Sequence, residues 1–134
     1  MSGAAETGMT DIAYISKADS STQHMLFYDS SNGRNKPLLV GLHTWSNSYI
    51  NDNSSNEYLR WCKEYDWALA FPDFRGPNMS PDAMGSEKAV SDIVDAVANA
   101  KTLCDVDETR IYLAGVSGGG HMALLMAALH PEIW

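Results

Sequence analysis

The chain has 134 residues, enough for one domain with a hydrophobic core. Its formal net charge of −8 argues against nucleic acid and anionic membranes as partners, because their phosphates would repel it. Hydrophobic residues make up 45% of the chain, which is ordinary for a globular domain, and no apolar run is long enough to span a bilayer. The N-terminus lacks the basic end and apolar core of a secretion signal. We therefore expect a cytoplasmic protein, with residues 1–10 as a disordered or foreign lead-in and residues 11–134 as the domain.

The first elements are predicted to be strands. Residues 11–16 and 22–28 are strand-like runs separated by a short turn, which predicts an antiparallel pair. A turn cluster follows over 29–36, centred on Gly33. The continuous apolar run 37–42 is typical of a strand buried on both faces of a parallel sheet.

Helices and strands then alternate. Residues 56–65 predict a helix with Leu59 and Cys62 on its inner face and with Trp61 and Tyr65 one step round. An apolar strand over 67–71 leads into a loop over 73–85 that is rich in proline and glycine. A second helix begins at Ser86, with apolar residues at the helical period. The residues predicted to face outward on it are Asp92, Asp95 and Asn99. The alternation predicts an α/β architecture with helices on both faces of a mostly parallel sheet.

The two cysteines do not have the spacing of a metal site or a redox pair. Cys62 lies in one predicted helix and Cys104 at the end of another. We interpret them as buried free thiols. No metal and no cofactor is expected.

The most informative stretch is 110–131, where an apolar run ends at Gly115-Val116-Ser117-Gly118-Gly119 and turns into an apolar helical pattern. A strand, a tight turn and a helix with serine at the apex define the G-x-S-x-G nucleophile elbow. Side chains at 115 or 119 would collide with the returning chain. Ser117 is therefore the candidate nucleophile, although the same turn could hold it as a plain helix N-cap.

A serine nucleophile needs an oxyanion hole, and the sequence offers one. The first donor is the N–H of Gly118, directly after the nucleophile. The second is expected from the loop after Leu42, where the N–H of Trp45 is our choice and Thr44 is the neighbouring option. Two such donors contribute about 3 kcal/mol each to transition-state stabilisation.

A general base is harder to assign. His24 lies in an early strand, His130 is at the far end of the elbow helix, and His121 lies along that helix. His43 follows a strand at the same edge of the sheet as Ser117, but no carboxylate is evident to orient it. None of the four histidines is well placed.

Three segments resemble a known family when they are taken together. Their order and spacing resemble those of the front half of an α/β-hydrolase, and the segments are PLLVGLHTWS, FPDFRGPN and DVDETRIYLAGVSGGGHMALLMAALHP. The likeness is greatest to the prolyl-oligopeptidase-like and related esterase branch. The resemblance implies Ser117 as nucleophile and Gly118 with Trp45 as oxyanion hole. His43, Thr44, Arg75 and Asn78 are expected to line the pocket.

The resemblance also carries two departures. Peptidases of this branch tend to have a tyrosine near position 43, so histidine there fits an esterase somewhat better. In this fold the acid and the histidine follow the serine along the chain, and both would lie beyond Trp134. The resemblance thus implies a truncated domain whose 111–114 strand is a sheet edge, and we expect self-association or a complementing chain there.

The leading interpretation is a serine hydrolase that acts on ester or peptide bonds through a Ser117 acyl-enzyme. The alternative is a non-catalytic α/β-hydrolase-like module that keeps the elbow as architecture and binds a partner. A nucleotide-binding fold is disfavoured, because residues 115–120 do not present G-x-G-x-x-G.

Overall fold

A computed structural model describes residues 8–30 and 33–134, which form one sheet covered by helices. The described strands are β1 (Thr10–Ile15), β2 (Thr22–Tyr28), β3 (Lys36–Leu42), β4 (Ala68–Pro72) and β5 (Val106–Gly115). The described helices are α1 (Ser54–Tyr65), α2 (Glu87–Leu103) and α3 (Gly118–Leu129). No helix within these ranges is long and apolar enough to cross a membrane.

The strand order in the sheet is β1-β2-β4-β3-β5. The predicted antiparallel pairing of β1 with β2 is confirmed, and β2 is also antiparallel to β4. β3 pairs in parallel with both β4 and β5. All described strands except β2 therefore run in one direction, so the predicted, mostly parallel α/β sheet is confirmed.

Alternating side chains of the central strands build two cores. On one face, Leu38 and Val40 of β3 are fully buried in a cluster that includes Ile93 of α2 and Met122 of α3. On the other face, β4 packs against α1, and Leu59 and Cys62 of that helix are buried. The two layers bring the loops after β3, β4 and β5 to one edge of the sheet, because these strands are parallel.

The amphipathic pattern of α1 was only partly predicted. Leu59 and Cys62 face the core as expected, but Trp61 and Tyr65 are 42% and 58% exposed and stack on each other. Both cysteines are free thiols, and burial raises the pKa of Cys62 to about 12 and that of Cys104 to about 11.

The prediction that Asp92 and Asp95 face solvent is wrong. Helix α2 does begin at the predicted cap, where Ser86 Oγ accepts from the Ala89 N–H at 3.1 Å. Both aspartates, however, are buried, because each has partners on the β1–β2 turn or the loop after β4. Asp92 accepts from Ser16 Oγ at 2.6 Å and from Arg75 Nε at 2.5 Å, and Asp95 accepts from the Lys17 N–H at 2.7 Å.

Three boundaries also differ from the prediction. Met9 is buried and Thr10 begins β1, so these two residues belong to the fold, while residues 1–7 of the predicted lead-in lie outside the described residues. Lys36 is in β3 and buried rather than in the turn, because its ammonium pairs with Asp29 at 2.7 Å. Strand β5 begins at Val106, which pairs with Lys36, and so starts before the 110–131 stretch that contains its apolar run.

Candidate active site

Ser117 lies at the turn between β5 and α3 in a strained backbone conformation. Its φ is +58° and its ψ is −119°, and its side chain is exposed at the edge of the sheet. A residue other than glycine in this region costs on the order of 1–3 kcal/mol, and such strain clusters at functional sites. The G-x-S-x-G turn requires this conformation to raise the serine hydroxyl above the sheet.

The glycines beside Ser117 make close contacts that a side chain would block. A methyl group on Gly115 would lie 2.2 Å from the carbonyl oxygen of Gly119, and one on Gly119 would lie 2.1 Å from that of Leu42. Both obstacles are backbone atoms. Strand and helix can therefore pack this closely only with glycine at these positions.

The structure brings together the two residues chosen for the oxyanion hole. A methyl group on Gly118 would come within 2.8 Å of the backbone nitrogen of Trp45. Gly118 is the first residue of α3, and N–H groups in the first turn of a helix have no acceptor within the helix. Thr44, the neighbouring option, is already engaged, because its N–H donates to the carboxylate of Asp52. Of the two options in this loop, Trp45 therefore stays the predicted donor.

His43 is held away from any role as a base. It is fully buried and stacks on Phe74 with ring centroids 3.9 Å apart. Its Nδ1 lies 3.0 Å from the carbonyl oxygen of Thr44, and its Nε2 lies 2.7 Å from that of Asp73. Each ring nitrogen therefore faces a backbone carbonyl oxygen, one of which accepts the single N–H of a neutral imidazole, and the ring packs between the loops after β3 and β4.

The other histidines are also engaged or distant. His24 bonds to Asp11 and His130 bonds to Glu132, both through Nδ1. His121 is exposed on α3 beside Gly85, at the end of the loop after β4. The His121 backbone N–H donates to the Ser117 carbonyl oxygen at 3.0 Å, but among the described residues no histidine ring forms a hydrogen bond with the Ser117 hydroxyl.

Arg75 links three segments, which are the loop after β4, helix α2 and the β1–β2 turn. Its Nε donates to Asp92 at 2.5 Å, and its Nη1 and Nη2 donate to Asp19 at 2.7 and 3.0 Å. These hydrogen bonds raise the pKa of Arg75 and hold the pKa of Asp19 below its usual range. Phe74 and Arg75 both have positive φ, so the turn after β4 is strained and is held by this ion pair and by the Phe74–His43 stack.

Asn78 and Asp73 carry buried polar atoms without partners. Asn78 is 1% exposed, and within the described part of the chain neither its amide oxygen nor its amide nitrogen has a hydrogen-bond partner. The Oδ1 atom of Asp73 is likewise buried and unpaired, and burial raises the pKa of that carboxyl. Both residues lie in the loop after β4, at the edge that carries Ser117.

Asp52 contacts the loop of the candidate site and was not singled out in the sequence analysis. Its carboxylate is buried and binds the loop that carries Trp45. The sequence feature that could have identified it is an acidic residue just before a predicted helix, which is a typical capping position. No group of three or more histidine, cysteine or acidic side chains in residues 8–30 and 33–134 could hold a metal ion.

Comparisons with known proteins find likenesses to esterases and to a peptidase. The model of the acetyl xylan esterase family AXE1 matches residues 74–134. No curated protein sequence matches the chain.

Solved structures with the same architecture include esterases and a peptidase. A thermostable esterase is 16% identical with a TM-score of 0.74, over 94% of this chain and 39% of its own. A hyperthermophilic esterase from the archaeon Pyrobaculum calidifontis is 20% identical with a TM-score of 0.70, over 92% of this chain and 40% of its own. Pyrococcus horikoshii acylaminoacyl peptidase is 15% identical with a TM-score of 0.71, over 93% of this chain and 22% of its own.

The sheet order, the elbow and these likenesses define one class: the chain has the α/β-hydrolase fold. It corresponds to the N-terminal portion of that fold, and it spans well under half the length of the solved structures it matches.

Proposed function

We propose that this chain carries the nucleophile and the oxyanion hole of a serine esterase. The observation that carries the proposal is that Ser117, in its strained conformation, directly precedes Gly118, which itself lies close to the Trp45 nitrogen. A serine fixed beside two backbone N–H donors suits acyl transfer, in which negative charge develops on the carbonyl oxygen. The elbow at the α3 N-terminus adds a favourable dipole for that charge.

The proposed reaction has two balanced halves. Ser117 Oγ attacks the carbonyl carbon of an ester while its proton passes to a general base, and the Gly118 and Trp45 N–H groups stabilise the oxyanion. The intermediate collapses, the alcohol leaves with a proton, and an acyl-enzyme remains on Ser117. Water then attacks the acyl-enzyme, which releases the acid and restores the hydroxyl.

An ester of a short acyl group is the proposed substrate class. The match to the acetyl xylan esterase family over residues 74–134 supports an acetyl ester. A buried histidine at position 43, whose ring nitrogens both face backbone carbonyls, is consistent with an esterase rather than a peptidase that uses a tyrosine there.

The esterase proposal is tested with p-nitrophenyl acetate. No histidine ring in the described residues reaches the Ser117 hydroxyl, so only the oxyanion hole assists acetylation in this chain. We therefore expect slow formation of an acetyl-enzyme on Ser117, with p-nitrophenol release still about 10-fold faster than in the Ser117→Ala variant, which lacks the covalent route. The matching p-nitroanilide should not be cleaved. Equal rates for wild type and Ser117→Ala would leave the elbow as architecture and favour the non-catalytic module.

The general base and its acidic partner are proposed to come from polypeptide outside these 134 residues that joins the free edge of β5. An open groove of about 670 Å³ lies between β5 and α3, and we call it the β5–α3 surface. It is lined by Leu113 and Ala114 of β5 and by Ala123, Leu124 and Ala127 of α3. Leu124 is 77% exposed there, and α3 is apolar on every side except at His121, as is typical of a buried helix. A strand that pairs with β5 would cover this surface.

Without that partner the chain is expected to self-associate through the β5–α3 surface. Apolar area and an unpaired strand edge both favour association. Sedimentation velocity should show concentration-dependent oligomers, and Leu124→Lys should shift them to monomer. The matched control is Ile15→Lys, which places the same charge at a 60% exposed apolar position on the opposite edge of the sheet. A wild-type chain that sediments as a monomer at all concentrations would contradict this expectation.

A further inference from the structure

Asp52 joins the oxyanion loop to helix α1. One carboxylate oxygen, Oδ2, accepts from the Thr44 N–H. The other, Oδ1, accepts from the Ser54 N–H at 2.8 Å and from Ser54 Oγ at 2.7 Å. The backbone carbonyl of Asp52 accepts from the N–H and the hydroxyl of Ser55 at 3.2 and 2.8 Å. Asp52 therefore caps α1 and binds the loop after β3 at the same time.

The position of Asp52 favours its charged form. The side chain is 4% exposed, and burial alone would raise the pKa of the carboxyl, but the bonds from the Thr44 and Ser54 N–H groups outweigh burial and lower that pKa. The N-terminus of α1 also favours a negative charge. These bonds are thus charge-assisted, and charge-assisted bonds are roughly twice as strong as neutral ones.

The bond to Thr44 bears directly on the oxyanion hole. Thr44 and Trp45 share a peptide bond, so fixing the Thr44 N–H fixes where the chain enters Trp45. The Trp45 nitrogen then lies against Gly118. Other bonds hold Thr44 at its carbonyl, through the His43 ring, and at its hydroxyl, through the Asn47 amide, while Trp45 and Ser46 themselves are exposed. Asp52 is the partner that holds the Thr44 N–H. An oxyanion donor displaced by about 1 Å would lose much of its effect.

We propose that Asp52 is a positioning residue. Its buried carboxylate binds both the Thr44 N–H and the N-terminus of α1, and it thereby directs the Trp45 N–H toward the oxyanion. The inference rests on the proposed esterase function. It assigns Asp52 no contact with substrate.

The first arm of the test does not depend on catalysis. Amide hydrogen exchange of Thr44 and Trp45 is followed by NMR in the wild type, in Asp52→Asn and in the control Asn53→Ala, which alters an exposed neighbour without a capping bond. Asp52→Asn keeps the shape and the α1 cap acceptor. We expect Thr44 exchange to become about 10- to 100-fold faster in Asp52→Asn, the factor that a charge-assisted hydrogen bond represents, and to be unchanged in Asn53→Ala. Unchanged Thr44 exchange in Asp52→Asn would overturn the proposal.

The second arm measures saturation kinetics of Ser117 phosphonylation by a fluorophosphonate. We expect the maximal rate to fall about 10-fold or more in Asp52→Asn while the half-saturating concentration stays the same, because only the transition state uses the oxyanion donors. An equal fall in Asn53→Ala, or a change in half-saturation alone, would contradict positioning. If wild-type Ser117 is not labelled, the esterase proposal fails, and the exchange arm still decides whether Asp52 holds the loop.

Discussion

Replacing Gly119 with alanine is expected to destabilise the fold by at least about 3 kcal/mol, the upper range for overpacking. The added methyl group would lie 2.1 Å from the Leu42 carbonyl oxygen and 2.9 Å from that of His43. Both atoms belong to the backbone at the end of β3, so no side-chain rotation can relieve the clash. Relief would require α3 to move away from β3, which would also separate Gly118 from Trp45. Urea unfolding followed by circular dichroism measures the loss.

Gly120→Ala is the matched control for this prediction. Its nearest obstacle, the Gly115 carbonyl oxygen, would be 3.3 Å from the methyl group. Alanine also favours a helix over glycine by about 1 kcal/mol. We expect Gly120→Ala to be neutral or slightly stabilising. Equal destabilisation by the two variants would show that the clash with the Leu42 carbonyl is not the cause of the stability lost in Gly119→Ala.

The second large effect is expected at Arg75. Arg75→Met should cost about 3–5 kcal/mol, because it leaves the fully buried Asp92 carboxylate without its charged partner. The same change frees the turn at Phe74 and Arg75, whose positive φ values are held by the ion pair. The expected readouts are a lower urea midpoint and faster proteolysis of the loop over 73–85.

An exposed ion pair provides the comparison. Lys101 Nζ lies 2.6 Å from Glu108 Oε1, and the two side chains are 38% and 68% exposed. Lys101→Met should change stability by less than about 1 kcal/mol, since solvent screens such pairs. A small effect of Arg75→Met, similar to that of Lys101→Met, would contradict the structural role given to the buried network.

The strand, turn and helix around Ser117 and the sheet could be predicted from the sequence because each depends on a local pattern. Continuous apolar runs indicate strands buried on both faces, and the run 37–42 is indeed buried along β3. Glycines around Ser117 are needed by a turn that folds within a few residues. The choice of Trp45 followed from its position after β3, and the structure places it beside Gly118.

What the sequence could not provide were partners distant along the chain. Asp92 and Asp95 lie where helical period alone predicts a solvated face. They are buried because Ser16, Lys17 and Arg75, all far away in sequence, supply hydrogen bonds to them. Asp52 is similar, since its contact with Thr44 arises only when the loop after β3 folds back onto the start of α1.

Peptide-mapped fluorophosphonate labelling of the intact chain is the measurement that tests the central claim most directly. We expect one adduct, on Ser117, formed on the order of 100-fold faster than at any other serine, because a preformed oxyanion hole alone contributes about 10²- to 10³-fold. The adduct should vanish in Ser117→Ala and persist in Ser91→Ala, a control on α2. Labelling of Ser117 no faster than that of the other serines would contradict the claim that this turn is a nucleophile elbow.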